Sequence, residues 1–229
     1  MFVGNSYTST HPLNILLMEI SLSQENQYYH IYSEMNAPGG YRLTDHWNNG
    51  ITVNDIKKRK WDYVVLQGQS TMPLISDYRS IFLKNAKKLD NEIRKSGAKT
   101  VLFGTWPYLD GSTTQKLMLS EAFRIYNKRN FFNYKSHYNS IQSIYSKASK
   151  DLNASVVFTA PLRHSAPKDT SLYAIDGSHP SLAGSYLVAL AFYKHLFSID
   201  KFDENTYIPH DMDKAFGKKL IKYVEEYKL

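Results

Sequence analysis

The chain has 229 residues, 42% of them hydrophobic and 21% charged, which supplies one sizeable core and is too apolar for a disordered chain. Cysteine is absent, and this excludes a disulfide framework, a thiolate nucleophile and any thiolate-ligated zinc or iron–sulfur site. The net charge of +7 comes from scattered lysines and the run Lys57-Lys58-Arg59-Lys60; no basic, aromatic-interleaved module surrounds that run, so it reads as solvated surface and not as a nucleic-acid contact.

Taken in chain order, MFVG at Met1–Gly4 reads as the end of a strand. A removed upstream signal would account for so short a strand and would place the protein outside the cytoplasm, although the chain itself carries no signal peptide. Helical apolar spacing at Leu13, Leu16, Leu17 and Ile20 predicts a helix from Pro12 to about Asn26. YYHIYSEM at Tyr28–Met35 reads as a strand, ended by NAPGGYR. WDYVVLQ at Trp61–Gln67 reads as a buried strand, and the following helical period stops at Gly97. TVLFGTW at Thr100–Trp106 is the next buried strand. A long Tyr- and Lys-rich amphipathic stretch covers Ser120 to Leu152, then ASVVFTAP gives a further strand.

After His179 a helix is expected, with Leu187, Leu190, Ala191 and Leu196 turned inward, and residues 211–229 form a last surface helix. No apolar run approaches the length of a membrane span. No repeat or linker interrupts residues 1–229, so they read as a single domain.

Short Val/Ile-rich runs alternating with amphipathic helices predict a parallel sheet covered on both faces. Such sheets bind ligands in the crevice at the carboxyl ends of their strands, so the chemistry belongs in the loops that follow them. The first loop carries Gly4-Asn5-Ser6, the second Gly39-Gly40, the third Gln67-Gly68-Gln69-Ser70, and the last Asp176 and His179 in the turn DGSH. Each has a plain structural role: helix capping for Ser6 and Asp176, a tight turn for the glycines, loop anchoring for the glutamines. Together they supply more. Ser6 is a nucleophile, His179 a general base and Asp176 the carboxylate that orients it; the N–H groups of Ser6 and Gly40 and the amide of Gln69 are donors to a developing oxyanion.

Gly-Asn-Ser after the first strand, glycine after the second, a carboxamide after the third and Asp-x-x-His before a late helix resemble the SGNH (GDSL-like) hydrolases. The likeness runs from Phe2 to about Phe197, and DGSHPSLAGSYL is its longest specific string. It looks closest to a branch with GNSYT in the first block and VVLQxQS in the third. The resemblance implies a three-layer α/β/α sandwich with a central five-stranded parallel sheet, and ester hydrolysis through an acyl-serine without cofactor or metal. It places the nucleophile at Ser6, the acid–base pair at His179 and Asp176, and oxyanion donors at Gly40 and Gln69. One departure stands out: the family usually has asparagine in the third block where this chain has Gln69, longer by one methylene, and Gln67 is the alternative donor.

Tyr7, His46, Trp106 and Tyr108, with Gln67, are expected to wall the substrate pocket. His164 reads as a solvated loop residue. His11, His30, His137, His195 and His210 lack the paired spacing of a metal site. The expected substrate is a small acyl ester, acetyl above all, on a small molecule or carbohydrate. The alternative is a catalytically silent ligand-binding protein on the same fold. A nucleotide-binding module is set aside, because no phosphate-cradling glycine motif follows the first strand.

Overall fold

The computed structural model describes residues 1–25, 31–74, 76–116, 133–165 and 172–227. Five parallel strands form one sheet in the order β2-β1-β3-β4-β5: β1 (Phe2–Val3), β2 (Met35–Asn36), β3 (Tyr63–Gln67), β4 (Lys99–Gly104) and β5 (Ser155–Phe158). The registers set Phe2 beside both Met35 and Val65, Leu66 beside Leu102, and Gly104 beside Phe158. Alternate side chains face opposite ways along a strand, so two separate cores follow.

Phe2, Val65, Val101, Phe103 and Val157 point to one face. There they pack against α2 (Leu13–Leu22), α8 (Leu182–Phe197) and α9 (Lys214–Glu226). Val3, Val64, Leu66 and Leu102 point to the other. That face is covered by α3 (Leu43–Asn48), α4 (Ile51–Lys57), α5 (Ser76–Lys95) and α6 (Tyr134–Leu152). The result is the expected three-layer α/β/α sandwich.

Helix α8 is buried along eleven consecutive residues, Ala183 to Tyr193, so it is apolar all round and not on one stripe. Its close approach needs Gly184: a Cβ there would lie 2.1 Å from the Leu172 carbonyl oxygen and 2.2 Å from an Arg163 guanidinium nitrogen. At the far end, α9 buries Gly217, Leu220 and Val224 and turns its charged residues outward. Among the described residues, no helix is long and apolar enough to cross a membrane.

Several boundaries differ from expectation. The strand predicted over Tyr28–Met35 is reduced to Met35–Asn36, because its partner β1 is only two residues long; residues 26–30, His30 among them, lie outside the described set. Thr100–Trp106 leaves the sheet after Gly104. ASVVFTAP leaves it after Phe158, where the sheet offers no further partner and the Thr159 hydroxyl donates to the Gly104 carbonyl at 2.9 Å. Thr159–Ser165 then forms helix α7, not a loop. Helices α3 and α4 had no periodic signal; Gly50, at φ 72°, makes the left-handed corner between them. Of the amphipathic stretch, Tyr134–Leu152 is helical and residues 117–132 lie outside the described set.

Candidate active site

The site is built at the carboxyl ends of the strands. Leaving β1, the chain turns at Asn5, whose side-chain oxygen accepts from the Tyr7 N–H at 3.2 Å and so caps α1 (Ser6–Ser9). Asn5 Nδ2 also donates to the Tyr41 carbonyl at 3.0 Å, tying the first loop to the glycine loop after β2. Beneath this turn lies Gln67, 1% exposed. Its Oε1 accepts from the Asn5 N–H and the Thr8 hydroxyl, each at 2.9 Å, and its Nε2 donates to the Gly68 carbonyl at 2.6 Å.

Ser6, His179 and Asp176 come together. Ser6 Oγ lies 2.9 Å from His179 Nε2, and His179 Nδ1 lies 2.5 Å from Asp176 Oδ2. The ionised carboxylate only accepts, so Nδ1 carries the ring proton and Nε2 is left to accept from the Ser6 hydroxyl. Asp176 Oδ1 accepts from the N–H groups of Ser178 and His179 at 2.9 and 3.0 Å. Burial works against the Asp176 charge, but these N–H groups and the His179 ring outweigh it and hold the carboxyl below the usual carboxylate range.

The expected oxyanion donors are the Ser6 and Gly40 N–H groups and the Gln69 amide. No described residue accepts from the Ser6 or Gly40 N–H. Gly40 sits at φ 74°, a conformation that favours glycine. Gln69 uses Oε1 to accept from both the N–H (2.8 Å) and the hydroxyl of Thr71, which leaves its NH₂ free to donate. It borders a small depression with Arg42, Leu43, Met72 and Phe82, next to the glycine loop. Gln67, by contrast, is buried beneath the Asn5 turn, with Oε1 accepting from that turn and one amide N–H donating to the Gly68 carbonyl.

The five residues expected as pocket walls are all buried. His46 is fully enclosed: Nε2 donates to the Gly4 carbonyl at 2.7 Å, which leaves Nδ1 to accept from Thr52 Oγ1 at 2.7 Å. Burial lowers its pKa, in keeping with a neutral ring. Tyr108, 2% exposed, donates its hydroxyl to Ser70 Oγ at 2.6 Å, and His137 backs the same loop through the Ser70 carbonyl at 3.3 Å. Tyr7 and Trp106 stack at 4.7 Å with planes 5° apart, under the turn that carries His179. Trp106 and Tyr108 lie in the loop after β4, whereas Tyr7 belongs to α1 and Gln67 is the last residue of β3. Among the described residues, no cluster of His, Asp or Glu is arranged to hold a metal ion.

Sequence reasoning passed over Ser178 and Arg163. Ser178 is 2% exposed between the acid and the base. The Arg163 guanidinium lies 3.8 Å over the Trp106 ring and donates to the Leu172 carbonyl at 2.9 Å. The position of Ser178 inside DGSH was the only signal for it.

No protein-family model and no curated protein matches the sequence. Solved structures do. A candidate SGNH hydrolase from Slackia heliotrinireducens is 27% identical, superposes with a TM-score of 0.69, and is matched over 85% of this chain and 96% of its own. A DUF4886 family protein from Bacteroides uniformis gives a TM-score of 0.72 at 19% identity, over 98% of this chain and 92% of that one. An acetyl-xylooligosaccharide esterase from a Geobacillus gives 0.57 at 14% identity, over 85% and 92%. The last two likenesses are of fold. In fold and class the chain is an SGNH-type hydrolase.

Proposed function

We propose that this hydrolase is a serine esterase that removes small acyl groups, acetyl above all, from an alcohol such as a carbohydrate hydroxyl, through an acyl-serine. The relay Ser6–His179–Asp176 carries the reading, with Oγ···Nε2 at 2.9 Å and Nδ1···Oδ2 at 2.5 Å. The hydrogen bond from Nδ1 to Asp176 leaves Nε2 facing Ser6 Oγ, the arrangement this chemistry needs. Ser6 Oγ attacks the ester carbonyl as His179 Nε2 takes its proton. The oxyanion settles against the N–H groups of Ser6 and Gly40 and the Gln69 amide. His179 returns the proton to the leaving alcohol, then takes one from water, which attacks the acyl-serine and releases the acid. Asp176 keeps the ring in the tautomer with Nε2 unprotonated and stabilises the imidazolium formed in each half-reaction.

Anchoring of Gln69 through Thr71 supports it as a donor despite its extra methylene, since the atom that would otherwise swing is held. The small apolar depression beside it, lined by Leu43, Met72 and Phe82, favours a short acyl group over a long one. Fold likeness to an acetyl-xylooligosaccharide esterase points the same way.

The test is hydrolysis of p-nitrophenyl acetate against longer-chain p-nitrophenyl esters, with Ser6→Ala as control. Acetate turnover that disappears in Ser6→Ala is expected, with rates falling as the acyl chain lengthens. If wild type and Ser6→Ala are equally inert on every ester, and a fluorophosphonate fails to label Ser6, the esterase reading is lost and a binding protein takes its place.

A further inference from the structure

Resting on the esterase reading, we propose that Tyr7 and Trp106 are positioning residues that grip Ser178 and so fix the base turn relative to the nucleophile. All three hydrogen-bonding groups of Ser178 are held. Its N–H donates to Asp176 Oδ1 at 2.9 Å, its carbonyl accepts from Trp106 Nε1 at 2.9 Å, and its hydroxyl meets the Tyr7 hydroxyl at 2.6 Å. A buried residue with every polar group engaged has one conformation, and both of its neighbours in the relay inherit it. His179 is the next residue, and Asp176 is the acceptor of the Ser178 N–H.

Tyr7 makes the grip functional, because it follows Ser6 directly on α1. Its hydroxyl reaches a residue 171 positions away in sequence, and its ring meets the His179 ring in a T-shaped contact with centroids 5.5 Å apart. One side chain therefore spans from the element that carries the nucleophile to the turn that carries the base. Trp106 holds that side chain in place by stacking on it. Arg163 closes the stack: its guanidinium, 3.8 Å from the indole centroid, must take the opposite face, since the nearly parallel Tyr7 ring already covers the first.

Packing alone does not account for this arrangement. Phenylalanine would stack on Trp106 equally well, so the hydroxyl of Tyr7 is what ties the two loops. Burial pushes the Tyr7 phenol well above its ordinary pKa, so it serves as a neutral hydrogen-bonding group and not as a base.

The test compares Tyr7→Phe, Ser178→Ala and the double variant, with Tyr186→Phe as a control that loses another buried tyrosine hydrogen bond, the one to the Tyr207 carbonyl. The readouts are kcat and KM on p-nitrophenyl acetate, the melting temperature, and the downfield proton NMR signal of the His179 Nδ1–H. Small displacements of reacting groups cost up to about a hundredfold in rate, so each single variant should lose roughly ten- to a hundredfold in kcat with KM little changed. The double variant should lose no more than the worse single, because both remove one link. The Nδ1 signal should broaden in both singles, whereas Tyr186→Phe should melt earlier and keep its kcat and its signal.

The proposal is overturned if Tyr7→Phe keeps wild-type kcat and a sharp Nδ1 signal, or if the two single losses multiply in the double variant. Should Tyr7→Phe not fold, Ser178→Ala decides by the same two readouts. If wild type turns over no ester, the esterase reading fails, and the Nδ1 signal still tests the grip by itself.

Discussion

Replacing Gln67 by leucine should damage stability and catalysis together. The side chain is buried and makes three hydrogen bonds: from the Asn5 N–H at 2.9 Å, from the Thr8 hydroxyl at 2.9 Å, and to the Gly68 carbonyl at 2.6 Å. Leucine fills most of the volume and satisfies none of these. The Asn5 N–H cannot turn elsewhere, because its plane is fixed by the strand-to-helix corner, and a buried donor left unpaired costs about 1–3 kcal/mol. The Thr8 hydroxyl can rotate, so its loss is nearer the ~1 kcal/mol of an ordinary hydrogen bond. Together these give about 2–4 kcal/mol, which for a chain of this size lowers the melting temperature by roughly 5–15 °C. Because the freed N–H belongs to the residue before Ser6, kcat should fall as well. Thermal melts followed by circular dichroism, with kcat on p-nitrophenyl acetate below the melt, measure both. A Gln67→Leu protein that melts within about 2 °C of wild type and turns over at full rate would refute the assignment of Gln67 as the support of the nucleophile turn.

Gln69→Ala removes one oxyanion donor and should lower kcat by about 10²–10³ with KM nearly unchanged; steady-state kinetics that show a change in KM alone would deny Gln69 that role. Stability should fall as pH drops below about 6.5, since burial lowers the pKa of His137 to about 3 and also lowers those of His46, His195 and His11. A histidine held neutral in the fold binds its proton first in the unfolded chain, so its contribution is complete above the unfolded value and is lost as pH falls towards the folded one. For His137 that loss at pH 5 is about 2 kcal/mol, and urea titrations at pH 7 and pH 5 read it; equal midpoints at the two pH values would contradict the burial.

The parts of the fold and site that could be read from sequence were the local ones. Gly4-Asn5-Ser6 and Asp176-x-x-His179 declare themselves because each sits within four residues, where the chemistry needs a turn and a polar side chain together. Strand β3 was legible for a similar reason, its apolar run being continuous. Side-chain direction at the sheet rim was not. Gln67 and Gln69 differ by two positions, and nothing in the composition says which is buried under Asn5 and which is tethered to Thr71. Nor could Tyr7 and Trp106 be told from pocket walls, because the partner that turns them inward, Ser178, lies far along the chain. Helix α7 was hidden for another reason: Val156 to Pro161 is uniformly apolar or small, and only the end of pairing at Gly104 and Phe158 shows where the strand stops.

Ser6 and His179 lie 173 residues apart, and every strand pairing in the sheet joins segments separated by a crossover. Such non-local pairings form late and slowly. Within residues 1–229 the serine thus precedes its proposed base by most of the sheet, and β2 to β5 all lie between them in sequence. Helix α8 must then dock before the base turn has a floor. On the proposed reading, the relay is complete only when the segment that carries Ser6 and the turn that carries His179 have met.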